Sequence, residues 1–176
     1  MPKELYKQIV DSFGKRENNQ RTSALGIDGD GKYYGCIQGT SLKGKLAKQL
    51  IDAGKITMEG LGRTYGEMTG FHAEMMIVYA WKIALGIEAS DKMSDMIKDF
   101  QEAMAKTKYK HGVIAANAPC CKHCKNMLEI LGIKYYGKGA KASLTAWWNP
   151  FTEKVIPNGD MAFKDAIPEA PKKYGY

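Results

Sequence analysis

Apolar residues recur at the spacing of a helix face in four segments of the chain. These segments are residues 4–13, 71–85, 90–106 and 121–131. The second is apolar on nearly every side, which predicts a helix buried on most of its circumference and ended by Gly86. The third carries its methionines on one face, so we expect them in the core, with Ser90 as the N-terminal cap.

Short apolar or alternating runs predict five strands. They cover residues 23–27, 33–38, 112–116, 133–136 and 141–148. The first two flank Asp28-Gly29-Asp30-Gly31, whose Asp-Gly steps favour a tight turn and an antiparallel hairpin. The last two are joined by a short loop over residues 137–140, and a loop this short joins antiparallel neighbours. The pattern therefore predicts a mixed sheet of five strands that ends in a hairpin.

The length suits one domain over residues 1–176, because a chain of 176 residues that is 44% hydrophobic can bury about two thirds of its surface. Proline punctuates the chain after Asn149, so residues 150–176 are expected to form a surface tail. No apolar run approaches the roughly 20 residues of a membrane span, and the first residues lack the apolar segment of a signal peptide. We expect no membrane partner and a cytoplasmic location where the protein acts.

The formal net charge of +7 is concentrated in residues 105–143. In that stretch one acid, Glu129, stands against eight lysines: Lys106, Lys108, Lys110, Lys122, Lys125, Lys134, Lys138 and Lys141. A lysine cluster around the cysteines would attract a polyanion, which points to nucleic acid or a phosphorylated substrate. The alternative is that these lysines only keep a surface soluble.

Three of the four cysteines, Cys120, Cys121 and Cys124, lie too close together for a disulfide scaffold. A metal site or a redox motif explains them better, and a reducing compartment suits them. Cys36 stands alone among strand-like residues and is interpreted as a small buried hydrophobe.

Two motifs carry the candidate chemistry: His72-Ala73-Glu74 and Pro119-Cys120-Cys121-Lys122-His123-Cys124, each at the start of a predicted helix. Residues three apart share a helix face, so Cys121 and Cys124 can hold one ion, and thiolates with an imidazole suit zinc. Glu74 is placed to act as a general acid and base on a zinc-activated water. The alternatives are a closed structural site with a fourth ligand and a Glu74 that only favours the helix N-terminus.

With these motifs the chain resembles the zinc-dependent cytidine deaminase superfamily, whose signature is His-x-Glu followed by Pro-Cys-x-x-Cys. The resemblance covers Thr22 to Trp148. It implies a three-layer α/β/α fold with a mixed five-stranded sheet whose last two strands are antiparallel. It also implies that His72, Cys121 and Cys124 hold zinc, while Glu74 transfers protons during a hydrolysis that releases ammonia.

The signature can be aligned in two registers. Counted from Pro119, it pairs Cys120 with His123, whereas the Cys-x-x-Cys spacing pairs Cys121 with Cys124. We favour the second register because two thiolates match the family. Cys120 is then a neighbouring or spare thiol, and His123 is expected to face solvent or a phosphate.

The resemblance also suggests the substrate. The expected final hairpin fits free-nucleoside deaminases and bacterial toxin deaminases better than the branch of tRNA adenosine deaminases and polynucleotide cytidine editors. The lysines, together with the aromatic residues Tyr135, Tyr136, Trp147 and Trp148, favour a base in single- or double-stranded DNA or in RNA. The resemblance implies that this base is cytosine, with adenine and guanine as alternatives. A toxin domain would be delivered by a secretion route and opposed by an immunity protein.

Candidate substrate contacts are Ala73, Asn117, Pro119, Cys120, His123, Trp147 and Trp148. Successive residues of a strand point to opposite faces, so at least one of Trp147 and Trp148 is expected in the core. Two other functions stay open. One is a deaminase of free cytidine, a nucleotide or a related base, and the other is a non-enzymatic nucleic-acid-binding module with a structural zinc ion.

Overall fold

A computed structural model describes residues 3–5, 7, 23–31, 33–37, 40–41, 72–88, 92–116, 120–136, 140–141 and 147–156. The strands are β1 Ser23–Ile27, β2 Tyr33–Ile37, β3 Thr40–Ser41, β4 Val113–Ala116, β5 Cys120–Cys121, β6 Lys134–Tyr136, β7 Ala140–Lys141, β8 Trp147–Trp148 and β9 Val155–Ile156. The helices are α1 Ala73–Ala84, α2 Met93–Ala105 and α3 Lys122–Leu131, with a 3-10 helix at Lys108–His111. Residues 3–5 and 7 are helical, and the rest of the predicted first helix lies outside the described residues.

The main sheet has the order β3-β2-β1-β4-β6 and mixes strand directions. β1 is antiparallel to β2 and to β4, whereas β4 and β6 are parallel because α3 crosses between them. The predicted first hairpin is confirmed: the N–H of Gly31 donates to the Asp28 carbonyl (3.0 Å), and that of Asp30 to the Asp28 carboxylate (2.9 Å). Gly31 has φ +81, a conformation that glycine adopts without strain. The predicted α/β class with a mixed sheet is thus confirmed.

The predicted final hairpin is not seen among the described residues. β7 pairs in parallel with β5, and β8 pairs antiparallel with β9, so neither extends the main sheet beside β6. The expected five-stranded sheet, with residues 133–136 and 141–148 as its antiparallel last pair, is therefore not seen in the part of the chain that the structure describes. A short loop requires antiparallel pairing only if the two strands that it joins are neighbours in a sheet. Here β7, the strand after the loop, pairs instead with β5, which precedes α3.

Helix α1 packs directly on β1. Its residues from Ala73 to Lys82 are all buried, as the all-round apolar pattern predicted. Gly26 allows the close approach, because a Cβ at that position would lie 2.9 Å from Cγ2 of Ile77 and 3.3 Å from Cζ2 of Trp81. The helix ends as predicted at Gly86, which has φ +74, and the N–H of Ile87 donates to the Lys82 carbonyl (3.1 Å).

Helix α2 buries one face, and its methionines belong to the core as predicted. The buried residues are Met93, Met96, Ile97, Phe100 and Met104. The predicted cap is not at the helix start: the residue before α2 is Lys92, no side chain caps it, and Ser90 lies outside the described residues.

Of the residues assigned to the surface tail, Pro150 and Phe151 are buried, whereas Glu153 and Lys154 are exposed. Phe151 is fully buried and packs edge-on against Phe100, with ring centroids 5.4 Å apart. The Asn149 side chain accepts hydrogen bonds from the N–H groups of Phe151 (2.8 Å) and Thr152 (3.3 Å), which builds the turn between β8 and β9. We call residues 147–156 the β8–β9 hairpin. A large apolar side chain with a place in the core outweighs the proline pattern, and residues 157–176 lie outside the described part.

Three polar contacts attach this hairpin to α1. Tyr79 donates to the Glu153 carboxylate (2.9 Å), and the Lys82 ammonium donates to the Phe151 carbonyl (3.1 Å) and lies 3.9 Å from the same carboxylate. Within the described residues, the helices are too short or too polar to cross a membrane.

Candidate metal centre

His72 lies immediately before α1, with extended backbone (φ −74, ψ 140) and a half-buried ring. Ala73 and Glu74 follow in the first helical turn, and both are buried. The partial positive charge at a helix N-terminus favours a carboxylate at this place. The His-x-Glu motif therefore brings an imidazole and a buried acid to the same end of α1.

Cys121 and Cys124 lie at the start of α3. Cys121 is extended (φ −69, ψ 161), and its sulfur accepts the backbone N–H of Cys124 at 3.3 Å, so the thiol itself caps the helix. The pairing of β5 with β7 fixes the backbone that leads into this cap. Both cysteines are buried.

The structure brings His72, Cys121 and Cys124 together, and we call these three residues the triad. Their ligand atoms all lie within 4.8 Å of one another. The Nδ1 atom of His72 is 3.4 Å from Sγ of Cys124. A tetrahedral zinc ion with ordinary bond lengths places a nitrogen and a sulfur ligand about 3.6 Å apart. The triad therefore fits, and could bind, a metal ion such as zinc.

The electrostatics of the triad favour a thiolate. The pKa of Cys121 falls from its ordinary value of 9.0 to about 4, chiefly because the Cys124 side chain hydrogen-bonds to it. Burial acts in the opposite direction, and a hydrogen bond and the positive charge of His72 lower the pKa further. Since the thiolate is the form that binds metals, Cys121 is ready to act as a ligand at neutral pH.

Trp147 was predicted as a base-stacking or core residue, and it lies beside the triad. Its indole Nε1–H donates to Sγ of Cys124 at 3.3 Å, and the whole side chain is buried. Its ring also lies 5.5 Å from that of His123, centroid to centroid. This contact could not be predicted from the sequence, because no local pattern indicates that residues 23 positions apart meet.

Other candidate residues are placed differently from expectation. His123 is 5% exposed, so it does not face solvent as predicted, because Trp147 covers the first turn of α3 on that side. Trp148 is buried and packs edge-on against Tyr79, with centroids 5.1 Å apart. Asn117 and Pro119 lie outside the described residues. The side chains of Cys36 and Cys120 are likewise not described, although both belong to strands.

The lysine-rich stretch is divided in space. Lys108 precedes β4, and its carbonyl accepts the N–H of Gly29 in the β1–β2 turn, while its ammonium lies 3.5 Å from the Asp28 carboxylate. Lys134 begins β6 opposite Val113, at the same end of the sheet. Cys121 follows the other end of β4, a four-residue strand about 13 Å long. Lys108 and Lys134 therefore lie away from the cysteines, whereas Lys122 and Lys125 belong to the helix that carries Cys124, and Lys141 pairs with Cys121.

No family model, curated protein or solved structure matches the chain. The candidate function therefore depends on the geometry of the site itself.

Proposed function

We propose that the chain is a zinc-dependent hydrolytic deaminase that converts cytosine to uracil. The observation that carries this proposal is the triad, whose ligand atoms lie within 4.8 Å of one another, with Glu74 buried in the same helix turn that follows His72. Three protein ligands leave a coordination position for water, which is the arrangement of a catalytic rather than a structural zinc site.

The placement of His123 supports three ligands rather than four. Within the described residues, the group of neighbouring ligand atoms consists of the triad, and His123 is not part of it although it is only one residue from Cys124. Its ring packs on Trp147 instead. A closed site would then depend on Cys120, whose side chain lies outside the described part of the structure.

A bound zinc ion would supply a Lewis acid and lower the pKa of water to about 7. Glu74 accepts a proton from the attacking water and delivers it to the ring nitrogen next to C4 of cytosine. The water oxygen bonds to C4, Glu74 carries the second proton to the amino group, and the C4–N bond breaks. Cytosine and water thus give uracil and ammonia, and Glu74 ends in its starting protonation state.

Nucleic acid is the proposed substrate because of the net charge of +7 and its concentration in residues 105–143. In the described part, Lys106, Lys110 and Lys134 are exposed, so they are available for phosphates. A toxin-like role with an immunity partner belongs to the same proposal. The alternative substrate is free cytidine or a nucleotide, for which these lysines would be dispensable.

The test is uracil and ammonia formation by zinc-loaded protein on single-stranded DNA, double-stranded DNA, RNA and free cytidine. Glu74→Gln keeps the size of the side chain and removes the base, so activity should disappear with zinc content unchanged. Glu129→Gln is the matched control, because Glu129 is also buried but hydrogen-bonds to Tyr135 (2.8 Å).

A polymer substrate should show activity that falls steeply with salt, whereas deamination of free cytidine should be nearly insensitive to it. Equal activity of Glu74→Gln and the parent would contradict the enzymatic proposal.

A further inference from the structure

In the hydrogen bond between Trp147 and Cys124, the indole is the donor and the sulfur is the acceptor. The indole Nε1–H can only donate, and the atom it reaches at 3.3 Å is the sulfur of a candidate metal ligand. A hydrogen bond to a ligating thiolate stabilises its negative charge and fixes the direction of its lone pairs. Groups of this kind around a metal commonly control how tightly it is held.

Trp147 is held in place by a built structure rather than by a loose segment. Trp147 pairs with Ile156 across the β8–β9 hairpin. The hairpin turn is organised by Asn149, whose N–H donates to the Lys154 carbonyl (2.9 Å). Tyr79 then bonds the turn to α1 through Glu153 (2.9 Å). The helix that follows His72 and the indole that touches Cys124 are thus joined through the β8–β9 hairpin.

We propose that Trp147 is a positioning residue of the metal centre, and that the β8–β9 hairpin is part of that centre although it supplies no metal ligand. The indole N–H holds the Cys124 sulfur in the orientation in which it can share an ion with His72 and Cys121. It also withdraws electron density from the sulfur, which leaves a bound metal more electrophilic.

The competing explanation is that Trp147 only fills the core. The chain offers a matched control for this, since Trp148 is the next residue, is also buried (3% exposed) and packs edge-on against Tyr79. Trp147→Phe and Trp148→Phe each remove an indole from the same hairpin, and the hydrogen bond to Cys124 at 3.3 Å comes from Trp147. Only the first removes the donor to Cys124.

Zinc affinity is measured by competition with a chromophoric chelator. Trp147→Phe should weaken binding about 10- to 100-fold, the range for loss of a partner that supports a metal ligand, whereas Trp148→Phe should not. With Co²⁺ as the probe, the thiolate-to-metal charge-transfer band should move to longer wavelength in Trp147→Phe, because the sulfur holds its electrons less tightly. Unchanged affinity and an unchanged Co²⁺ spectrum in Trp147→Phe would overturn the proposal.

A second measurement needs no variant that must fold. In protein labelled with ¹⁵N-tryptophan, the Trp147 indole N–H resonance should shift when zinc is added, while that of Trp148 stays in place. A Trp147 indole resonance that does not shift when zinc is added would contradict the proposal. So would a parent protein that binds no zinc. None of these readouts uses activity. A protein whose zinc binding depends on Trp147 but that deaminates no substrate would therefore support this proposal while refuting the proposed function.

Discussion

The phenol of Tyr79 donates a 2.9 Å hydrogen bond to the carboxylate of Glu153 and so connects two segments that lie 74 residues apart. Tyr79 belongs to α1, which follows His72, and Glu153 belongs to the β8–β9 hairpin, which carries Trp147. The stability of the hairpin on α1 and the integrity of the metal centre are therefore linked.

Tyr79→Phe should lower the free energy of unfolding by about 1 kcal/mol, because it removes one hydrogen bond and keeps the ring that packs on Trp148. Urea denaturation of metal-free protein measures this loss. Tyr135→Phe is the comparison and should cost more, about 1–3 kcal/mol, because its bond to Glu129 (2.8 Å) is buried at both ends. Equal losses in the two variants would show that burial does not decide the difference.

Lys82 predicts a pH dependence of stability. Burial lowers its pKa from 10.5, and the nearby Glu153 only partly offsets this. Between the lowered pKa and 10.5 the unfolded chain binds more protons than the folded one, so Lys82 makes stability rise with pH across that window and flatten above 10.5.

Lys82→Met isolates this contribution, because it keeps the apolar length of the side chain and removes the titration. The difference in unfolding free energy, parent minus variant, should increase as pH rises towards 10.5 in urea titrations at several pH values. A difference that is constant with pH would mean that burial does not perturb Lys82.

Cysteine variants distinguish a catalytic zinc site with three protein ligands from a closed structural site with four. Cys121→Ser should abolish stoichiometric zinc binding, and Cys120→Ser should retain it, since the ligand atoms that lie together belong to the triad. Zinc content is measured by atomic absorption after dialysis. Cys36→Ser controls for the general effect of replacing a cysteine with serine. Weak binding in Cys120→Ser would instead indicate a fourth cysteine ligand and a closed site.

Gly26→Ala tests the close packing of α1 on the sheet. The new methyl group would lie 2.9 Å from Cγ2 of Ile77 in the middle of the helix, so the Ile77 side chain or α1 itself must shift. Overpacking of this kind costs about 1–3 kcal/mol, which urea denaturation would detect. Stability equal to that of the parent would show that Ile77 can move aside. Gly26→Ala should not alter the ligand set, because it lies outside the triad.

Local patterns were sufficient for several parts of the fold. The apolar spacing predicted α1 and the buried face of α2, and the Asp-Gly steps predicted the turn after β1. These features depend on residues near one another in the chain. The helical spacing of Cys121 and Cys124, together with the His72 motif, likewise gave the three residues that the structure brings together.

The pairing of strands that lie far apart in the sequence was decided by the tertiary structure. The sequence analysis joined residues 133–136 to residues 141–148, whereas the chain pairs β7 with β5 and β8 with β9. Residues 150–156 were assigned to a tail, yet Phe151 is fully buried. The lysines of residues 105–143 are neighbours in sequence, but β4 separates Lys108 and Lys134 from Cys121.

The sequence by itself thus determined the helices, the first hairpin and the chemical identity of the candidate metal ligands, since periodicity and residue type are local properties. Only the tertiary structure decided the strand partners, the burial of His123 and the hydrogen bond from Trp147 to Cys124. The physical reason is that edge strands and buried polar groups pair with the groups that tertiary packing places beside them. Whether two groups come close together is set by the whole fold rather than by their separation in the sequence.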